Sequence, residues 1–265
     1  MDLKLDGKRA LVTGGSRGIG KAIARQLARE GVNCAICGRT EGALKAAGEE
    51  IERETGRRVL PLVADISQTD SIKRLVDSAG AALGGIDILV NNAGRVSGGV
   101  AEDFTGVTDD LILRDFEERV LGYLRCARAV VPLMRNTGWG RIINIGGMAA
   151  RTAGAISAGA RNAATVHLTK SLAVELGRWG INVNAIHPGA TVTERLGERL
   201  SARAARRGVT VEELTQQIAA NVSIGRLVTA EEIAYVAAFL ASPLSVGING
   251  EVIVVSGGVG LAVHY

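Results

Sequence analysis

Short β-like runs alternate with amphipathic helical segments along this chain, and that alternation restricts the fold more than any other feature. Seven apolar runs, at 9–13, 33–37, 58–63, 86–90, 141–145, 181–186 and 251–255, read as strands. Helical patterns fill 19–30, 41–55, 68–83, 108–136, 155–179 and 230–241. Such alternation implies parallel strands joined by right-handed crossovers, hence an α/β, doubly wound sheet with helices on both faces. Aromatic residues are only 3% of 265, so Val, Ile, Leu and Ala must fill the core. That suits strands covered on both sides. No linker or repeat interrupts the pattern, so residues 1–265 are expected to form one domain. The irregular stretch 190–228, with two further short helical patterns, should overhang the carboxyl edge of the sheet as a substrate lid.

Composition narrows the function classes. Thirty-one Lys+Arg are dispersed among 27 Asp+Glu, with few aromatics for base stacking, which argues against nucleic acid. No apolar run reaches the roughly 18–20 residues that span a bilayer. The first residues lack a signal-peptide layout, so a cytoplasmic protein away from membranes is expected. Cys34 and Cys37 lie at an odd offset in one apolar run and should point to opposite faces, which prevents joint metal binding. With Cys126 they are expected to be buried free thiols. No metal constellation and no nucleophile–base pair is visible.

The first strand runs into Thr13-Gly14-Gly15-Ser16-Arg17-Gly18-Ile19-Gly20, and a helix follows at once. Glycines there let the backbone turn tightly and approach a pyrophosphate at a helix N-terminus. The second strand ends in Gly38-Arg39, where a dinucleotide fold often places an acid for the ribose 2′-hydroxyl. Arg39 and Arg17 instead offer guanidiniums to a 2′-phosphate, so NADP(H) is favoured over NAD(H). The plainer alternative is a solvated loop residue and a helix-entry charge. Asp65-Ile66 closes the third strand, where the carboxylate could accept from an adenine amino group or cap the next helix. Asn91-Asn92-Ala93-Gly94 ends the fourth, with small residues where backbone must meet coenzyme.

These motifs, with RIINI, LTKSLAVEL, NVNAIHPGATVTERL and GRLVTAEEIA in order, resemble the short-chain dehydrogenase/reductase superfamily over nearly the whole chain. The resemblance implies a single-domain Rossmann fold with a seven-stranded sheet, usually a homodimer or homotetramer. It also implies hydride exchange between NAD(P)(H) and a small carbonyl or alcohol. Pro188, Gly189, Thr191 and Thr193 match the family segment that fixes the nicotinamide carboxamide, although Pro188-Gly189 would also serve as a plain turn.

The family's proton relay does not match. Counting back from Leu168-Thr169-Lys170, the Tyr position is Ala158 and the Lys position Asn162. The Ser position is Gly147, and counting back from Pro132-Leu133-Met134 puts the Asn position at Arg119. A one-residue shift would give Ser157 and Arg161, neither a usable acid near neutral pH. A positioned general acid is worth ~10²–10⁴ in rate and an oxyanion donor ~10²–10³. An unactivated ketone should therefore turn over very slowly.

Other side chains offer partial substitutes. Asn162 could bond the nicotinamide ribose, or simply sit on a helix surface. Arg119 could stabilise an oxyanion, but an i,i+4 ion pair with Asp115 is the plainer reading. Tyr123 reads as a packed interface tyrosine rather than a catalytic one, and His167 as a core or interface histidine. His187 lies beside the nicotinamide segment, and His264-Tyr265 could reach a neighbouring subunit or form a docked or frayed tail. The lid arginines, Arg195, Arg199, Arg203, Arg206 and Arg207, could meet an anionic substrate such as a CoA thioester. Interleaved with Glu194 and Glu198, they also read as a solvated face. Two functions stand out: an NADP(H)-dependent oxidoreductase with a non-standard site, and a catalytically silent NADP(H) binder. Elimination or isomerisation on the same scaffold is a third.

Overall fold

The computed structural model describes residues 1–94 and 104–260. In chain order the main elements are β1 (Arg9–Thr13), α1 (Gly18–Arg29), β2 (Asn33–Gly38), α2 (Glu41–Thr55), β3 (Val59–Val63), α3 (Thr69–Leu83) and β4 (Ile88–Asn91). There follow α4 (Asp109–Asp115), a π-helical segment Phe116–Leu121, α5 (Gly122–Thr137), β5 (Gly140–Ile145), α6 (Ile156–Leu176) and β6 (Ile181–Pro188). The last part holds β7 (Thr191–Val192), α7 (Glu194–Arg207), α8 (Val211–Ala219), β8 (Val228–Thr229), α9 (Ala230–Ala241) and β9 (Val252–Val255).

Seven parallel strands pair in the order β3-β2-β1-β4-β5-β6-β9. Chain direction across the sheet reverses between β1 and β4, so a crevice opens outside their carboxyl ends, the place where doubly wound sheets bind ligands. Both faces are dry. Ala10, Val12, Cys34 and Ile36 point into one apolar core, while Leu11, Ala35 and Cys37 point into the other. This two-residue period puts Cys34 and Cys37 on opposite faces as expected, and burial pushes both thiols up to about 12.

The helix over 108–136 is not continuous. Six residues between α4 and α5 wind as a π-helix, which changes which side chains share a face. The lid is built from α7 and α8, which bury Leu200, Ala204 and Leu214 in a small core of their own. The two-stranded β7–β8 pair tethers the lid to the start of α9. Capping boxes start both α8, at Thr210 and Glu213, and α9, at Thr229 and Glu232.

Candidate active site

The glycine loop between β1 and α1 has no room for side chains where it matters. A Cβ on Gly20 would lie 2.2 Å from the Gly14 carbonyl oxygen, and Gly14 itself takes φ +67° beside Asn92. Asn92 Nδ2 locks the loop by donating to the Thr13 and Gly14 carbonyls at 3.0 and 3.1 Å. Thr13 Oγ1 accepts from the Asn92 and Ala93 amides at 2.9 and 3.0 Å. The loops after β1 and β4 are thus one rigid unit. No side chain caps α1 at its N-cap residue Arg17, which leaves first-turn amides for an anion. One of them is already engaged: the Gly18 amide donates to the Glu194 carboxylate at 3.2 Å. Arg17 also approaches Glu198 at 3.9 Å. Sequence reasoning read Glu194 only as part of a charged helix face; an acid directly after the N-cap Thr193 was the signal available.

Arg39 is exposed at the end of β2. Burial raises the Asp65 carboxyl, but hydrogen bonds from the Ser67 amide and hydroxyl, together with the Arg39 charge, hold it below the usual range. The Asp65 carboxylate therefore stabilises the turn into α3, and Ile66 beside it is buried in the core. Gly189 packs so closely that a Cβ would meet Ser256 Cα at 2.8 Å. Thr191 Oγ1 donates to the Gly189 carbonyl at 3.0 Å, and Thr193 caps α7 by accepting from Leu196. Glycine loop, Ala93-Gly94 and the Pro188–Thr193 segment all lie at the carboxyl edge of the sheet. A dinucleotide fits this cradle by its glycine contours, its uncapped helix and its two flanking arginines.

Three of the four relay positions converge on the end of β5. Arg119 is 7% exposed, and its Nη1 donates to the Ile145 and Gly146 carbonyls at 3.4 and 3.3 Å. Asn162 is buried, and its Nδ2 donates to the Gly147 carbonyl at 3.4 Å. A Cβ on Gly147 would stand 3.0 Å from that nitrogen. Arg119 Nε and Asn162 Oδ1 are buried without hydrogen-bond partners among the described residues. Ala158 contributes only a buried methyl group on α6. Asn162 is therefore not a helix-surface residue.

Several other expectations change. Arg119 does not pair with Asp115, because the π-helical turn between them breaks the i,i+4 alignment. Asp115 instead accepts from Ser157 Oγ at 2.7 Å and pairs with Arg161 at 2.8 Å, all three side chains being buried. Burial foremost, then the neighbouring Arg119 charge, lowers the Arg161 guanidinium to about 10 against the opposing pull of Asp115. His167 is exposed on α6, with Ser171 Oγ at 3.4 Å from its Nδ1, so it is not a core histidine. Tyr123 is fully buried and donates to the Ile145 carbonyl at 3.0 Å; burial pushes its phenol up. His187 is fully buried on β6, and a Cβ at Gly146 would meet its ring at 2.6 Å. Burial, then the charges of Arg151 and Arg119, lowers the imidazole to about 4, so it is neutral at pH 7. Arg151 had not been singled out from sequence.

The lid arginines divide. Arg206 and Arg207 are exposed at the far end of α7, as a solvated face requires. Arg195 is half-buried, and burial first, then the charges of Arg17, Arg199 and Arg119, lowers its guanidinium against the opposing pull of Glu198. His264 and Tyr265 lie outside the described residues.

A family profile described as Enoyl-(Acyl carrier protein) reductase matches residues 14–260. The chain belongs to the short-chain dehydrogenase/reductase superfamily. It is 34% identical over 259 residues to 7alpha-hydroxysteroid dehydrogenase of Escherichia coli, covering 97% of this chain and 96% of that one. L-sorbose reductase from Gluconobacter frateurii, complexed with NADPH and L-sorbose, superposes with TM-score 0.92 at 31% identity, over 98% of both chains. A 7α-hydroxysteroid dehydrogenase complexed with NADH and 7-oxo glycochenodeoxycholic acid gives TM-score 0.86 at 33% identity, over 97% of this chain and 96% of that one. Relatives of this fold thus hold either coenzyme. Among the described residues, no helix is long and apolar enough to cross a membrane.

Proposed function

We propose that this chain is an NADP(H)-dependent oxidoreductase that moves hydride to or from a small carbonyl or alcohol through a non-standard site. The observation that supports this reading is the glycine-contoured cradle beside two buried groups, Arg119 Nε and Asn162 Oδ1, that have no hydrogen-bond partner among the described residues. Gly14, Ser16, Gly18, Ile19 and Gly20 would hold the pyrophosphate, and Arg17 and Arg39 the 2′-phosphate. Asp65 and Ile66 would border the adenine, and Asn92, Ala93 and Gly94 the nicotinamide ribose. Pro188, Gly189, Thr191 and Thr193 would hold the carboxamide. When bound, the coenzyme supplies or accepts hydride. The protein's own part is to exclude water, orient the carbonyl and stabilise charge on its oxygen.

The test begins with calorimetry of NADPH and NADH, where NADPH should bind about tenfold or more tightly, the worth of one charge-assisted contact. Absorbance is then followed with NADPH and a panel of ketones, quinones and acyl-CoA substrates. No binding of either coenzyme would sink the proposal. A second reading, a silent NADP(H) binder, is favoured by one observation. Tyr123, Ser157 and Arg161 are locked into internal bonds, and His187 is neutral, so none of them is poised as a proton donor. Binding without consumption across the panel would support it. A homodimeric or homotetrameric assembly in the cytoplasm accords with the family reading, and light scattering tests the assembly.

A further inference from the structure

Glu194 opens α7 directly after its N-cap Thr193, a place where an acid suits the dipole of its own helix. Its carboxylate also reaches 176 positions back along the chain, where it accepts from the Gly18 amide that opens α1, at 3.2 Å. Glu198 follows one turn later on the same face of α7 and approaches the Arg17 guanidinium at 3.9 Å. A Cβ on Gly18 would lie at ordinary contact distance, 3.5 Å, from the Thr193 methyl carbon, so the start of α7 rests on the glycine loop. Lys21, Arg25 and Glu231 share the adjoining cleft, about 190 Å³, with Gly18 and Glu194.

Both acids sit on donors that an anionic ligand of α1 would use. A helix N-terminus without a side-chain cap favours a negatively charged oxygen, and here a carboxylate oxygen supplies it. The contacts lie in solvent: Arg17 and Glu198 are 50% and 67% exposed, and Glu194 is exposed. Exposed charge contacts are weak and screened by salt, so they hold a helix in place without locking it. A pyrophosphate brings more than one charge to the same donors.

We propose that α7 is a self-inhibitory strap, whose Glu194 and Glu198 compete with coenzyme phosphates for the Gly18 amide and Arg17. This rests on the oxidoreductase reading above, whose coenzyme is the competing ligand. The fraction of molecules with the strap released scales the rate at which coenzyme is captured. The geometry suits such a release. Pro188–Thr193, assigned above to the carboxamide, runs without a break into Glu194, and β7 within it pairs only with β8 among the described residues. Since α7 and α8 share a small core of their own, the lid lifts on this tether as one piece.

Hydrogen exchange over residues 14–22, followed by mass spectrometry, reads the strap with no coenzyme added. The Gly18 amide should exchange about fivefold faster in Glu194→Gln than in the intact protein, and about tenfold faster in Glu194→Gln/Glu198→Gln. Stopped-flow mixing with NADPH, followed by coenzyme fluorescence, reads the competition. Capture should quicken by about the same factors, with dissociation within about twofold of the intact protein's, because the acids act before the coenzyme is seated. Glu231→Gln removes the same charge from the same cleft without touching the Gly18 contact, and should change capture by less than about twofold. Equal acceleration by Glu231→Gln and Glu194→Gln would assign the effect to the field of the acids and overturn the strap. Unchanged Gly18 exchange in Glu194→Gln, or capture no faster, also overturns it and leaves the coenzyme reading intact. Inorganic pyrophosphate separates the two layers. Should it bind the double variant about tenfold more tightly than the intact protein, while NADPH is consumed with no acceptor, the strap stands and the oxidoreductase reading falls. No binding of NADPH or pyrophosphate to any of these proteins sinks both.

Discussion

Asp115 and Arg161 meet at 2.8 Å from different helices, with both side chains at least 95% buried. Ser157 Oγ donates to the same carboxylate at 2.7 Å. Breaking such a pair leaves an uncompensated buried charge. Asp115→Ala should therefore cost about 3–5 kcal/mol in urea unfolding. Ser157→Ala should cost about 1.5–3 kcal/mol, because a hydrogen bond to a charge is lost. A loss below about 1 kcal/mol for Asp115→Ala, the scale of an exposed pair, would mean that water reaches the pair.

Glu194 sits where the proposed coenzyme needs a free amide. Its carboxylate holds the Gly18 N–H from the first turn of α7, so lid and phosphate would compete for one donor. Glu194→Gln weakens the competitor and removes a negative charge from an anion site. NADPH should then bind about fivefold more tightly, the worth of about 1 kcal/mol. Unchanged or weaker binding by calorimetry would show that the phosphate and Glu194 do not share that amide.

His187 makes stability depend on acidity. In the unfolded chain it titrates near 6.5, and in the fold near about 4. Between these values the unfolded chain binds a proton that the folded chain refuses. Stability should be complete above pH 6.5, fall as pH drops toward about 4, and change no further on this account below that. The full contribution is about 3 kcal/mol. In His187→Phe, proton uptake on unfolding across this window should fall by about one. Denaturant melts at several pH values measure it, and an unchanged slope would assign the acid sensitivity elsewhere.

The side chains that the family resemblance assigns to a proton relay can be introduced. Gly147 is extended at φ 176°, so its backbone accepts serine, but the new Cβ would stand 3.0 Å from Asn162 Nδ2. Gly147→Ser alone is expected to be crowded and inactive on simple ketones. Together with Ala158→Tyr and Asn162→Lys it should raise ketone reduction about 10²-fold or more, the worth of a general acid. NADPH absorbance with a plain cyclic ketone reads the result. No gain from a folded, coenzyme-binding triple variant would mean that these positions do not border the reacting carbonyl.

Much of the fold was legible in the chain because it rests on local periodicity. Alternation at two residues placed Cys34 and Cys37 on opposite faces, and the glycines of 14–20 marked a loop where a Cβ at Gly14 or Gly20 would collide with its neighbours. Ala158 and Asn162 could be counted along one continuous helix, α6, whereas the count to Arg119 crossed a π-helical turn. The partners of charged side chains were not legible. Asp115 and Arg119 looked aligned on an ordinary helix, and nothing in their spacing announces a π-helical turn.

Sequence alone therefore determined the sheet and the tight glycine loop after β1, because each depends on residues close together in the chain. Tertiary structure decided that Asp115 pairs with Arg161, that Glu194 reaches Gly18 across the molecule, and that Arg119 is buried against Gly94 with its Nε unpartnered among the described residues. Those outcomes depend on which helix faces which strand end, and charges find partners by distance in space rather than by distance along the chain.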